Sequence, residues 1–247
     1  MARLSADNHL KSLNEGTAQS RTLSDAVAID QAELLAHVLP EMAQKRVAEI
    51  AAVNSAGILK RMRAIGQLLV EHSSGETLKF LAAHTSDTVR GWACFMLAEQ
   101  SQSDNQKLLE KIKPFADDPH FAVREWAWLA VRPNLVADLD RSIALLTTWT
   151  GDESKNVRRF ASEALRPRGV WSAHILELKT HPERGEPLLY PLRADSSRYV
   201  QDSVANWIND AAKSNPQWAL DLCDAWRAES KTAATERIIS RGLRSIT

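Results

Sequence analysis

The sequence predicts an all-α superhelical solenoid of stacked helical hairpins, and three observations carry that prediction. Apolar residues recur at three- and four-residue steps from Ala28 almost to the C-terminus, the spacing that lines one face of a helix. The β-branched alternation that a strand needs is scarce. Finally, a Val-Arg pair recurs at Val89-Arg90, Val123-Arg124 and Val157-Arg158 with intervals of 34 and 34 residues, and Val200-Gln201 follows after 43. A fixed period in this range marks repeat architectures, whose units stack because none buries its apolar faces alone.

Each pair begins a helix. Counting from its Val, position +3 is Trp92, Trp126, Phe160 and Ser203, position +4 is Ala93, Ala127, Ala161 and Val204, and position +8 is Leu97, Val131, Leu165 and Ile208. An acidic residue precedes each start, Asp87, Asp118, Asp152 or Glu153, and Asp195, where an N-cap or first-turn charge meets the helix dipole. Partner helices are expected over 105–115 and 138–149, stopped by Asp-Asp-Pro at 117–119 and Thr-Gly-Asp at 150–152. These hairpins are of the HEAT-like kind. Clear repeats run from about residue 80 to 245 of a single domain spanning 1–247. The region with Leu34, Leu35, Val38, Leu39, Met42, Val47, Ile50 and Ile58 to Leu69 reads as less regular opening repeats, and the polar first ~25 residues as loosely ordered.

Composition narrows the function. The 247 residues are 44% hydrophobic and 25% charged, with no net charge, which is ordinary for a globular chain. Uninterrupted apolar stretches such as Trp126 to Val131 are far short of the ~20 residues of a membrane span, and no signal-peptide apolar region precedes them. The chain therefore reads as cytoplasmic, with no membrane partner. Cys94 and Cys223 stand far apart and suit buried thiols. No Gly-rich phosphate loop or nucleophile elbow occurs, and the seven His form no ligand pair at helical spacing. Neither a metal, a nucleotide nor any other cofactor is expected. Charge is uneven, however. Residues 99–153 carry ten acids against six bases, whereas 154–184 carry seven bases against three acids.

The residues that break the apolar stripe select a candidate site. With Val at zero and about 100° per residue, Glu125, Glu163 and Asp210 fall at about 200°, 240° and 280°, on one face of three consecutive repeats. Asn206 shares that face. Taken singly, Glu163 sits four after Arg159 and three before Arg166, and Asp210 three before Lys213, spacings of surface ion pairs. Trp128, at about 140°, is off the stripe, while Trp126 and Trp207 are on it and expected in the core. Trp171 follows a helix-terminating Arg166-Pro167-Arg168-Gly169-Val170 segment in the long third interval.

The run from Val157 to Trp171 resembles the signature of bacterial DNA alkylation repair glycosylases of the HEAT-like repeat type, the AlkC/AlkD type, and most of all its AlkC branch. Tyr199 to Asp210 resembles a second stretch of the same family. The branch pattern reads approximately Ser-Glu-Gly-Thr-Arg-Pro-Arg-Leu-Pro-Trp. This chain keeps Ser162, Glu163, Arg166, Pro167, Arg168 and Trp171 and departs at Ala164, Leu165, Gly169 and Val170. The likeness covers residues 85–245 well, and the N-terminal part only in helical character.

What the resemblance implies is a monofunctional glycosylase that removes positively charged N-alkylated bases, such as 3-methyladenine or 3-methylcytosine, from double-stranded DNA in base excision repair. It implies a monomer with Asp210, Glu163 and Glu125 as catalytic carboxylates. Trp171, Trp128 and Asn206 would face the substrate, and Arg158, Arg159, Arg166 and Arg168 the DNA phosphates. The chemistry suits these residue types. A cationic base leaves without a proton, so a carboxylate need only stabilise the oxocarbenium-like sugar and orient a water. An aromatic face adds ~0.5–2 kcal/mol of cation–π attraction, and arginines on phosphates make binding salt-dependent. For Arg90 and Arg124 a structural role is expected. The alternative is a catalytically silent DNA-binding or protein-binding solenoid, since repeat folds lend themselves to binding.

Overall fold

The computed structural model describes residues 2–72, 75–101 and 104–246, which form helices and connecting turns with no strand among the described residues. The helices are α1 (Ala2–Asn14), α2 (Leu23–Ala28), α3 (Gln31–Val38), α4 (Pro40–Lys45), α5 (Val47–Asn54), α6 (Ile58–His72), α7 (Gly75–Ala82), α8 (Asp87–Gln100) and α9 (Asn105–Ala116). They continue with α10 (Phe121–Ala137), α11 (Leu139–Thr147), α12 (Lys155–Glu163), α13 (Leu176–Thr180), α14 (Glu186–Leu189), α15 (Arg198–Ala212), α16 (Pro216–Glu229) and α17 (Ala233–Gly242). Among the described residues no helix is long and apolar enough to cross a membrane. The chain divides into two compact units, Met1–Val131 and Arg132–Thr247, a finer division than the single domain expected from the repeat pattern.

The repeat positions read from the sequence are core positions. All twelve residues at +3, +4 and +8 are buried, from Trp92 and Val131 at 0% to Leu97 and Ser203 at 2% exposure. Each large apolar side chain among them contributes about 1.5–3 kcal/mol by leaving water. Packing is close. A Cβ on Gly91 would lie 2.5 Å from Trp126 Cδ1, so only glycine lets the ring approach α8. The expected partner helices are α9 and α11, the second ending in a 3₁₀ turn over Thr148–Gly151. Both thiols are buried, and burial raises Cys223 to about 12.

Asp87 lies in the first turn of α8, as expected, whereas the acids before the later repeats stand ahead of their helices and do a different job. Serines precede the helices: Ser86 Oγ accepts from Val89 N–H (3.5 Å) and Ser154 Oγ from Asn156 N–H (3.2 Å). Asp118, Asp152 and Asp195 instead accept the N–H two residues on, from His120, Ser154 and Ser197 at 2.7, 2.8 and 2.8 Å, which tightens each turn as an Asx turn does. The arginine of each Val-Arg pair then ties the turn down. Arg90 Nη1 donates to the His84 and Thr85 carbonyls, Arg124 Nη1 to those of Asp118 and Pro119, and Arg158 Nη1 to those of Asp152 and Glu153. The rest of the guanidinium fork reaches the next turn: Arg90 binds Asp118 and Arg158 binds Asp195, each bidentately. In the fourth repeat Gln201 keeps the carbonyl contact, donating to Asp195 O at 2.7 Å.

Within the polar N-terminal segment, residues 16–25 make specific contacts. Beyond α1 the chain turns at Gly16, whose φ of +74° favours glycine, and runs to Ser20, which is 2% exposed. Ser20 N–H donates to Asp87 Oδ1 (2.8 Å), its hydroxyl donates to Asp87 Oδ2, and His120 Nε2 lies 2.8 Å from its carbonyl oxygen. Thr22 and Asp25 form a capping box on α2. Polar composition suggested solvation, but these polar groups are satisfied by one another inside the first unit.

Candidate active site

The candidate site is built on α12, α15 and the segment between α12 and α13, all in the second unit. α12 starts at its Ser154 cap and ends at Glu163, because Pro167 lies just beyond and disfavours helical backbone at the residue before it. Glu163 thus closes a helix, and Arg166 stands three residues on at the start of the connecting segment. α12 packs against α15, which brings Ser203 and Asp210 to the same place.

Glu163 and Asp210, chosen by their position off the apolar stripe, meet across one guanidinium. Arg166 Nη1 donates to Glu163 Oε1 at 2.8 Å, while its Nε and Nη2 lie 2.9 Å from Asp210 Oδ2. Ser203 Oγ donates to Glu163 Oε2 at 2.7 Å and itself accepts from Ser162 Oγ at 2.8 Å. Arg159 Nη2 is 3.6 Å from Glu163 Oε2, and its guanidinium lies over the Tyr199 ring at 4.6 Å. Glu163 is 3% exposed, Asp210 4% and Arg166 9%. The spacings that suggested surface ion pairs therefore form a buried network, because α12 is flanked by α15.

The two carboxylates are shifted in opposite directions. Burial pushes Glu163 up, but the charges of Arg159 and Arg166 and the hydrogen bonds from Ser203 and Arg166 outweigh it and hold the group below its usual value. For Asp210 burial wins: Arg166 and Lys213 pull it down, yet it stays above the ordinary aspartate value, with Glu163 adding to the rise. The difference lies in how each surrounding weighs burial against neighbouring charge. Among the described residues no hydrogen bond reaches Asp210 Oδ1, since Arg166 holds only Oδ2. That oxygen keeps its lone pairs for a water or substrate atom.

Only some of the other expected residues join this network. Glu125 is in the first unit and accepts from Trp128 Nε1 at 2.7 Å. Trp128 is 2% exposed, so its position off the stripe did not place it at a surface; α10 is buried on nearly all sides at this level. Arg158 is not poised for phosphate, because it is the third of the turn-tying arginines. Arg166 is the bridge between the carboxylates. Arg168 is partly exposed and donates through Nε to Asp210 O (3.0 Å) and through Nη2 to Ser214 Oγ (2.7 Å). Asn206 Oδ1 accepts from Arg244 Nη2 at 2.9 Å. Trp171 is 42% exposed beside Val170 at 59%, and its φ of +61° lies in the left-handed region. Arg132, which sequence reasoning passed over, is 3% exposed and donates to three carbonyls of the connecting segment. The signal was an arginine directly after an apolar run, Trp126 to Val131. A cavity of about 710 Å³ in the first unit, lined by Val38, Leu39, Pro40, Met42, Lys45, Arg46 and others, includes none of the expected residues.

Residues 76–166 match the family model for HEAT repeats. The fold is of the HEAT-like repeat class. The YhaZ protein of Bacillus subtilis is 38% identical over 117 residues, 47% of this chain and 32% of its own length. The structure of Pseudomonas fluorescens alkylpurine DNA glycosylase AlkC, bound to DNA containing an abasic site analog, is similar with a TM-score of 0.66 at 25% identity. The match covers 97% of this chain and 62% of that one. AlkD2 from Streptococcus mutans aligns with a TM-score of 0.63 over 84% of this chain and 98% of its own, and at 18% identity that likeness concerns the fold. The chain thus spans about a third of YhaZ and less than two thirds of the AlkC chain.

Proposed function

We propose that this protein is a DNA glycosylase of the AlkC type that excises positively charged N-alkylated bases, of the 3-methyladenine and 3-methylcytosine class, from double-stranded DNA. The observation that carries the reading is the buried pair Glu163 and Asp210 on Arg166, with Asp210 Oδ1 uncommitted. The likeness to an alkylpurine DNA glycosylase bound to DNA at an abasic site analog supports DNA as the partner.

In this reading the alkylated base leaves as a neutral molecule once the glycosidic bond breaks, and no acid is needed. Asp210 Oδ1 orients a water and takes its proton as oxygen attacks the anomeric carbon. Glu163, held ionised by two arginines, keeps Arg166 in place, and Arg166 keeps Asp210 Oδ2 fixed so that Oδ1 is the reacting oxygen. Trp171 offers an exposed ring to the cationic base. Arg168 stands beside the carboxylates with part of its surface open to a phosphate. Glu125 and Trp128 serve as a buried pair in this proposal, and Arg158 as a structural arginine.

Incubating the protein with methylated DNA and separating the released bases by chromatography tests the reading. Release of 3-methyladenine or 3-methylcytosine that disappears with Asp210→Asn is expected. A non-catalytic DNA-binding role is favoured by one feature, the neutralisation of both carboxylates by Arg166. Salt-dependent DNA binding with no released base would select it.

A further inference from the structure

The segment between α12 and α13 holds both halves of the candidate site, the Arg166 bridge at its start and Trp171 at its tip, yet it contains no helix or strand to hold its backbone. Its stems close through Ile175 N–H, which donates to Pro167 O at 3.0 Å, and Trp207 Nε1 donates to Leu165 O at 3.0 Å. Arg168 adds its side-chain bonds to Asp210 O and Ser214 Oγ, and one further side chain grips the backbone of the segment itself. Arg132 Nη1 donates to Ala164 O at 2.7 Å, and its Nη2 donates to Arg166 O at 2.6 Å and Ala173 O at 3.1 Å. Residues 166 and 173 bracket Trp171. The planar fork of a guanidinium can hold carbonyls on both stems in one fixed geometry, which a lysine ammonium cannot.

Two further facts make this more than a buried hydrogen-bond donor. Trp171 sits at φ +61°, a backbone region that bulky residues rarely enter and that persists only where the surroundings over-determine it. Its ring is 42% exposed, and on either side of it the backbone is gripped at residues 166 and 173, where Arg132 acts. And because Arg166 is held at its carbonyl by Arg132 while its guanidinium spans Glu163 and Asp210, the same brace sets the height of the carboxylate bridge.

We infer that Arg132 is a positioning residue that aims Trp171 and Arg166 by clamping the two stems of the segment between α12 and α13. It touches no substrate. The kinetic consequence rests on the glycosylase reading above; the structural consequence does not.

The test separates the two. Protein carrying 5-fluorotryptophan gives one fluorine resonance for each of its eight tryptophans, and Trp171→Phe identifies that of Trp171. In Arg132→Met the Trp171 resonance should shift or broaden while those of Trp92, Trp126 and Trp226 stay in place. Excision from methylated DNA should fall about 100-fold in kcat with KM little changed, the cost of misplacing reacting groups by about 1 Å. Arg132→Lys should fall between Met and the natural residue in both measures. Arg132→Met with an unmoved Trp171 resonance and full kcat overturns the inference, as does a uniform shift of all eight resonances, which would mark a general packing role. If the natural protein releases no base, the glycosylase reading fails and the fluorine spectrum alone decides the brace. Should Arg132→Met fail to fold, the same two measurements on Arg132→Lys decide, and a lysine variant identical to the natural protein in both sinks the proposal.

Discussion

The turns between repeats and the segment after α12 are both held by buried arginines, but the two sets are wired differently. Arg90 and Arg158 each face one aspartate and two carbonyls, so every donor has a single acceptor and the net charge of the contact is zero. Arg166 instead divides one guanidinium between two carboxylates, with Arg159 on the far side of Glu163. The first arrangement only fastens. The second leaves one carboxylate oxygen uncommitted and shifts two neighbouring groups in opposite directions. Identical residue types eight positions apart thus serve stability in one case and chemistry in the other, according to how many anions they must satisfy.

That contrast can be broken most directly at Asp210. Asp210→Asn should lower the excision rate by about 10²–10⁴-fold, the usual worth of a general base, measured by single-turnover base release. Because Asp210 is raised in the folded state, its ionisation opposes folding as pH rises, so the asparagine variant should melt no lower than the natural protein at neutral pH. The natural enzyme should gain activity as pH rises through that elevated value, and the variant should lose this limb. A variant that melts far lower would mean that Asp210 is a structural anion like Asp195.

Arg166→Met comes next. It strands two buried carboxylates and should cost about 3–5 kcal/mol, read by urea denaturation. The effect should be greatest near neutral pH. Glu163 is shifted below its usual value, so its stabilising share is complete above the unfolded pKa of about 4.3 and is lost as pH falls through the lower folded value. Arg158→Gln should cost less, about 1–3 kcal/mol for the lost turn contacts, with the excision rate unchanged; the fourth repeat already tolerates glutamine at Gln201. Loss of excision without loss of stability in Arg158→Gln would return this arginine to the DNA interface. Trp171→Ala should weaken excision of cationic lesions by about 0.5–2 kcal/mol and spare any neutral one, whereas a uniform loss would limit the ring to shaping the site. Smallest of all, Arg168→Ala should reduce the slope of log affinity against log salt by about 1 if it holds a phosphate.

The sequence by itself determined the repeats, and it did so for a physical reason: burial of Trp92, Trp126, Phe160 and their counterparts is a property of periodicity, and periodicity is local. It also picked out Glu163, Asp210 and Trp171, since a charge or an aromatic ring off the stripe must be explained by something other than the core. Polar partnerships were a different matter. Whether Arg158 meets a phosphate or Asp195, whether Trp128 is open or closed over by its surroundings, and whether Ser20 is solvated or bound to Asp87 depends on groups 37, 3 and 67 residues away in the chain. Helical spacing can propose the nearest of these and is silent on the others. Arg132 shows the limit most clearly, because nothing in its neighbourhood in sequence announces three carbonyls that lie 32 to 41 residues further on. A hydrogen bond is directional and counts only when both groups arrive together, so it was the packing of helices, rather than the pattern along any one of them, that decided which polar residues fasten the fold and which are left to act.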